Sequence, residues 1–122
     1  MISRLNTSQN GVVSLGCEDF QEAIGTGVTL VDFWAPWCGP CLAQLPIVEE
    51  VAKKVGAKAM IAKVDVSSEK ELAIFNRVFS VPTIKIFVDG EKVREYTGVT
   101  QSDELLAGIK ECLEWNQDAV KE

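Results

Sequence analysis

The sequence predicts a three-layer α/β sandwich, with a central mixed β-sheet of about five strands flanked by about four helices. Short β-branched and apolar runs alternate along the chain with stretches of helical spacing, which is the pattern of layered α/β folds. One of these runs, 28–34, is almost continuously apolar, as a central strand covered on both faces would be. Asp89-Gly90 between two partly alternating runs is a strong hairpin signal, so the sheet should end in an antiparallel pair. A length of 122 residues suits one domain, and 47% apolar with 25% charged residues is the balance of a folded globular chain.

Taken in order, residues 1–10 read as a polar, flexible lead-in, the domain proper as 11–117, and 118–122 as an acidic tail. Val12 to Leu15 is a short strand candidate. Glu18 to Ile24 has a helical pattern through Phe20, Ala23 and Ile24, which Gly25-Thr26-Gly27 ends. Val28 to Trp34 is the central strand, in which Asp32 is the misfit, because a carboxylate buried there costs stability unless it is protonated, paired or used. Leu42 to Val55 places Leu45, Val48, Ala52 and Val55 at helical spacing around Pro46, which should kink the helix by removing one backbone hydrogen bond.

Ala59 to Val66 is a further buried strand, and Glu69 to Phe75 a short helix with Leu72 and Phe75 facing inward. Thr83 to Val88 and Val93 to Thr97 form the hairpin. Thr100, with Asp103 three residues on, can cap a last helix whose inner face is Leu105, Leu106, Ile109, Cys112 and Leu113.

Twelve basic against eighteen acidic residues give a net charge of −6, which repels phosphate and argues against nucleic acid as a partner. The absence of histidine excludes Ser-His-Asp and Cys-His catalysis and His-ligated zinc. The first ten residues carry one basic residue and no apolar run behind it, and no stretch is long and apolar enough for a membrane span. The expected location is therefore the cytoplasm, without membrane attachment, and the expected state a monomer.

Of the four cysteines, Cys38 and Cys41 form a pair, while Cys17 and Cys112 stand alone. The segment Trp34-Ala35-Pro36-Trp37-Cys38-Gly39-Pro40-Cys41 leaves the central strand and enters the kinked helix. At that junction the first sulfur meets unpaired N–H groups and the helix macrodipole, which stabilise a thiolate. The second sulfur lies about one turn in, close enough to close a small disulfide. Gly39 lets a partner's backbone approach, and Pro40 suits the first helical turn. Cys38 can then attack a partner disulfide and Cys41 resolve the mixed disulfide. Half of a metal site is the competing reading. Four-thiolate sites usually use two close pairs, and the chain has only one, so no metal is expected. Cys17 and Cys112 are expected to be small buried hydrophobes.

Val31 to Cys41, with its WCGPC core, closely resembles the active-site stretch of the thioredoxin family, and the resemblance runs from about Val12 to Trp115. It implies a thioredoxin-like fold with no bound cofactor beyond a redox-active Cys38–Cys41 disulfide. Electrons would come from a separate thioredoxin reductase, the only component that uses NADPH. It also implies that Asp32 lies behind Cys41 and shuttles its proton, which fits a desolvated carboxylate of raised pKa. Lys63 matches a lysine near that aspartate. Val81 and Pro82 match a loop with a cis proline facing the disulfide, whose backbone pairs with a bound target strand. Gly98 matches a glycine beside the active-site surface, and Trp37 part of the contact surface. Leu42 departs from the family, which often carries a basic residue there.

These features together point to a protein-disulfide reductase acting on disulfide-containing target proteins. A disulfide oxidase or isomerase, and a non-catalytic binding or scaffold subunit, are the alternatives. The intact cysteine pair with Asp32 argues against the last.

Overall fold

The structure, a computed structural model, describes residues 8–121. Its elements are β1 (Ser8–Gln9), β2 (Val12–Ser14), α1 (Phe20–Ile24), β3 (Val28–Trp34), α2 (Gly39–Val55) with a 3₁₀ turn at Gly56–Lys58, β4 (Met60–Asp65), α3 (Lys70–Phe75), β5 (Thr83–Val88), β6 (Glu91–Thr97) and α4 (Ser102–Lys121). The strands lie in the order β1-β2-β4-β3-β5-β6. β2, β4 and β3 are mutually parallel along the ladder, while β1, β5 and β6 join antiparallel.

The five expected strands are present, and the two-residue β1 makes a sixth at the edge. Its hairpin turns on Asn10 and Gly11, both at positive φ (56° and 82°), a conformation that an Asn-Gly pair adopts readily. Within the expected lead-in, Ser8 and Gln9 are thus paired to β2, and residues 1–7 lie outside the described residues. Asp89 and Gly90 form the β5–β6 turn in the same way, with φ of 50° and 90°.

Strand alternation divides the core into two layers. Val28 and Leu30 face α2 and α4, where they pack with Val48, Val51, Leu105 and Ile109. Val31 and Phe33 face α1 and α3, where Phe20 sets its ring edge-on to Phe87 at 5.8 Å between centroids. Because both faces of β3 are covered, the strand is buried over almost its whole length, which explains its unbroken apolarity.

Three local expectations are corrected. Phe75 is exposed rather than inward, because α3 ends at that residue and Val78 folds back to fill the inner position, its N–H bonded to the Ala73 carbonyl at 2.9 Å. Thr100 does not cap α4, which begins at Ser102; its backbone is held instead by Gln44. Cys17 is exposed in the β2–α1 loop, whereas Cys112 is buried in the α2–α4 layer as expected. Buried Lys85 on β5 donates to the Asn76 carbonyl at the end of α3, tying down the loop that leads to Pro82.

Candidate active site

The site forms where β3 gives way to α2. Cys38 is the N-cap of α2, Gly39 its first residue, and Pro40 sits in the first turn, where a missing N–H costs nothing. Cys38 and Cys41 are joined as a disulfide with Cα atoms 5.2 Å apart. The Cys41 N–H donates to the Cys38 sulfur at 3.2 Å, so one of the free donors at the helix start points at that sulfur. Cys41 is fully buried and Cys38 nearly so, packed with Ala35, Trp34 and Val81. α2 runs unbroken through Pro46 to Val55.

The Val81–Pro82 peptide bond is cis, and the Val81 carbonyl oxygen lies 3.8 Å from the Cys38 sulfur. Gly98 donates its N–H to the Pro82 carbonyl at 2.9 Å, which sets the β6–α4 loop beside the same corner. Its φ of 85° suits glycine, and a side chain there would project into open space rather than into the protein. Trp37 is exposed next to Cys38, and Leu42 stands exposed on the first turn of α2.

Asp32 lies on the α2-facing side of β3, following the alternation of Val28 and Leu30. It is fully buried, and neither carboxylate oxygen has a hydrogen-bond partner. Burial pushes its pKa up to about 7, with the Lys63 charge opposing the shift. Asp32 and Lys63 are direct partners in the β3–β4 register, and the Lys63 ammonium stands 5.3 Å from the centre of the Trp34 ring.

The structure therefore brings Cys38, Cys41, Val81, Pro82 and Gly98 into one corner and pairs Asp32 with Lys63 beneath α2. Among the described residues no group of three or more His, Cys, Asp or Glu side chains is arranged to hold a metal ion.

One part of the site was not foreseen. Fully buried Gln44 donates from Nε2 to the Thr100 carbonyl at 2.9 Å and accepts the Thr100 N–H on Oε1 at 2.8 Å. This clamp fixes the Gly98–Thr100 loop to the helix that carries Cys41. The sequence signal was a glutamine on the inward stripe of Cys41, Val48 and Val51.

A cysteine pair closing a disulfide at a strand-to-helix junction, within a layered α/β sandwich, defines a thiol–disulfide oxidoreductase. Known proteins agree. Residues 11–111 match the family model described as Thioredoxin. The chain is 39% identical over 102 residues to thioredoxin of Staphylococcus saprophyticus, covering 84% of this chain and 98% of the relative. To thioredoxin of Staphylococcus epidermidis it is 42% identical over 94 residues, or 77% of this chain and 90% of the relative. A solved structure of a mutant thioredoxin from Halobacterium salinarum NRC-1 superposes with a TM-score of 0.78 at 34% identity, covering 87% of this chain and 94% of that one. The chain belongs to the thioredoxin family and is a protein-disulfide reductase whose redox-active disulfide is Cys38–Cys41.

Proposed function

We propose that this protein is a general dithiol reductant of the cytoplasm, recharged by a separate NADPH-dependent thioredoxin reductase. In the reduced protein, the Cys38 thiolate attacks one sulfur of a target disulfide. A Cys38–target bond forms, the target S–S bond breaks, and the departing target thiolate takes a proton from water. Cys41 then passes its proton to Asp32 and attacks the Cys38 sulfur. The Cys38–Cys41 bond forms, the mixed disulfide breaks, and the second target sulfur leaves as a thiolate. Two electrons have moved from the protein dithiol to the target.

The observation that carries this reading is the pairing of a helix-start sulfur, receiving the Cys41 N–H, with a buried, partnerless carboxylate of pKa about 7. A carboxyl titrating near neutrality can both take and return a proton at working pH. Lys63 moderates that pKa from the neighbouring strand. Trp37, Val81, Pro82 and Gly98 form the docking face, with the Val81 backbone pairing with the target strand; its N–H has no partner among the described residues. Gly39 keeps the approach to Cys38 open and Pro40 stiffens the first turn.

The test is reduction of insulin disulfides by the dithiothreitol-reduced protein. Wild type should turn over, Cys38→Ser should be inactive, and Cys41→Ser should accumulate a covalent adduct with the target. Activity retained in Cys38→Ser would reject the mechanism. Turnover with NADPH and a thioredoxin reductase would establish the electron source, and a reduction potential far above that of reducing members would indicate an oxidase instead.

A further inference from the structure

Gln44 is the odd residue on the inward stripe of α2. Cys41, Val48 and Val51 on that stripe are apolar, and Gln44 is buried as completely as they are. An apolar side chain could occupy the same space without the cost of taking an amide out of water. The amide is justified by what it holds. Nε2 donates to the Thr100 carbonyl and Oε1 accepts the Thr100 N–H, so one side chain pins both polar groups of a single residue 56 positions away.

From Thr100 the hold passes on through named bonds. Thr100 Oγ1 donates to the Gly98 carbonyl at 3.0 Å, and the Gly98 N–H donates to the Pro82 carbonyl at 2.9 Å. One peptide back, the Val81 carbonyl oxygen lies 3.8 Å from the Cys38 sulfur, which accepts the Cys41 N–H. A circuit thus runs from α2 through the β6–α4 loop and the cis-proline backbone, and returns to the start of α2. Gly98, with a φ of 85° and no side chain to pack, brings little rigidity of its own to that loop. Its position against Pro82 is set through Thr100, and Thr100 is set by Gln44.

We propose that Gln44 is a positioning residue for target docking: by fixing Thr100 it keeps Gly98 against Pro82, and so holds the Val81 backbone where a target strand pairs while its disulfide reaches Cys38. The inference rests on the docking face described under the proposed function. A small disulfide needs the Cys38 sulfur but not this backbone, so it separates positioning of a polypeptide target from damage to the cysteine pair.

The experiment follows single turnovers of the reduced protein with a disulfide-bridged synthetic peptide and with bis(2-hydroxyethyl) disulfide. Gln44→Met should lower the second-order rate constant for the peptide by about tenfold and that for the small disulfide by no more than about twofold. The peptide's loss should lie in its half-saturating concentration, with the limiting rate kept within about twofold. Thr100→Val breaks the next link by removing the bond to the Gly98 carbonyl. It should show the same split at about threefold, and it decides alone if Gln44→Met does not fold. Because both residues act in one chain of bonds, the double variant should lose no more than about tenfold. Equal losses for the two substrates, no loss for the peptide, or additive losses in the double variant would overturn the role given to Gln44 and leave the docking face standing. Failure of the wild type to reduce the peptide, with the small disulfide still reduced, would overturn the docking face itself.

Discussion

Asp32 is the one charged residue in a strand that otherwise supplies Val, Thr, Leu, Phe and Trp, and the fold gives its two oxygens no hydrogen bond. Its folded pKa of about 7 lies above the ordinary value of 3.8, so between these pH values the folded protein binds a proton that the unfolded chain does not. Stability contributed by this group is complete below the lower value and is lost as pH rises through the upper one. Asp32→Asn should therefore stabilise the protein by an amount that grows from about pH 4, reaches the order of 4 kcal/mol, and levels off above about pH 7. Denaturant titrations at pH 5 and pH 8 measure it, and an equal gain at both would contradict the burial account. Kinetically, the same variant should slow resolution of the mixed disulfide more than the initial attack, which stopped-flow fluorescence separates; equal slowing would reject the shuttle. In the reduced protein, iodoacetamide at neutral pH should label Cys38 before fully buried Cys41, and the reverse order would contradict the helix-start geometry. Asp32 was legible as a misfit because one charged residue in an apolar run is a local signal. Its partnership with Lys63 came from the family resemblance alone, since the register of two strands leaves no local pattern.

Helix α2 is held at both ends of its task, by the disulfide at its start and by the Gln44 clamp one turn further on. Gln44→Met keeps the length of the side chain but leaves the Thr100 N–H and carbonyl buried without partners, and an unpaired buried group costs about 1–3 kcal/mol. The variant should lose about 2 kcal/mol of stability, and amide exchange at Thr100 should quicken more than exchange within β3. Unchanged exchange at Thr100 would show that the loop is held by other contacts. The two partners are 56 residues apart, so no local pattern links them. The same limit explains α3. Its helical spacing allowed Phe75 to point inward, and only the return of Val78 onto Ala73 decides against it. The Asn10-Gly11 turn, by contrast, was written in the sequence as plainly as Asp89-Gly90, and only the brevity of β1 hid it.

At the scale of the whole molecule, the alternation of β3 specified both core layers before any contact was known, because each face of a period-2 strand must find its own cover. No periodicity or spacing carried the strand order, which places β4 between β2 and β3 and so lays Lys63 beside Asp32 as the resemblance implied. This division of the core has a consequence for the chemistry. A disulfide that opens and closes in every turnover cannot be what keeps the chain folded, so the two layers must do so alone. Cys38 and Cys41 are separated by three positions in sequence, and closing so short a loop removes little entropy from the unfolded chain, worth about 2 kcal/mol in the loop-closure model. The reduced protein should therefore unfold in one cooperative transition, below the oxidised form by about that amount, with native circular dichroism at neutral pH. Phe33→Ala, which empties a fully buried position in the α1–α3 layer, should cost more than reduction does, about 3–5 kcal/mol. Guanidinium titrations of the oxidised, reduced and Phe33→Ala proteins give the comparison directly. Collapse of the fold on reduction alone would mean that the sulfurs serve as a structural staple, a role that reversible electron transfer does not permit.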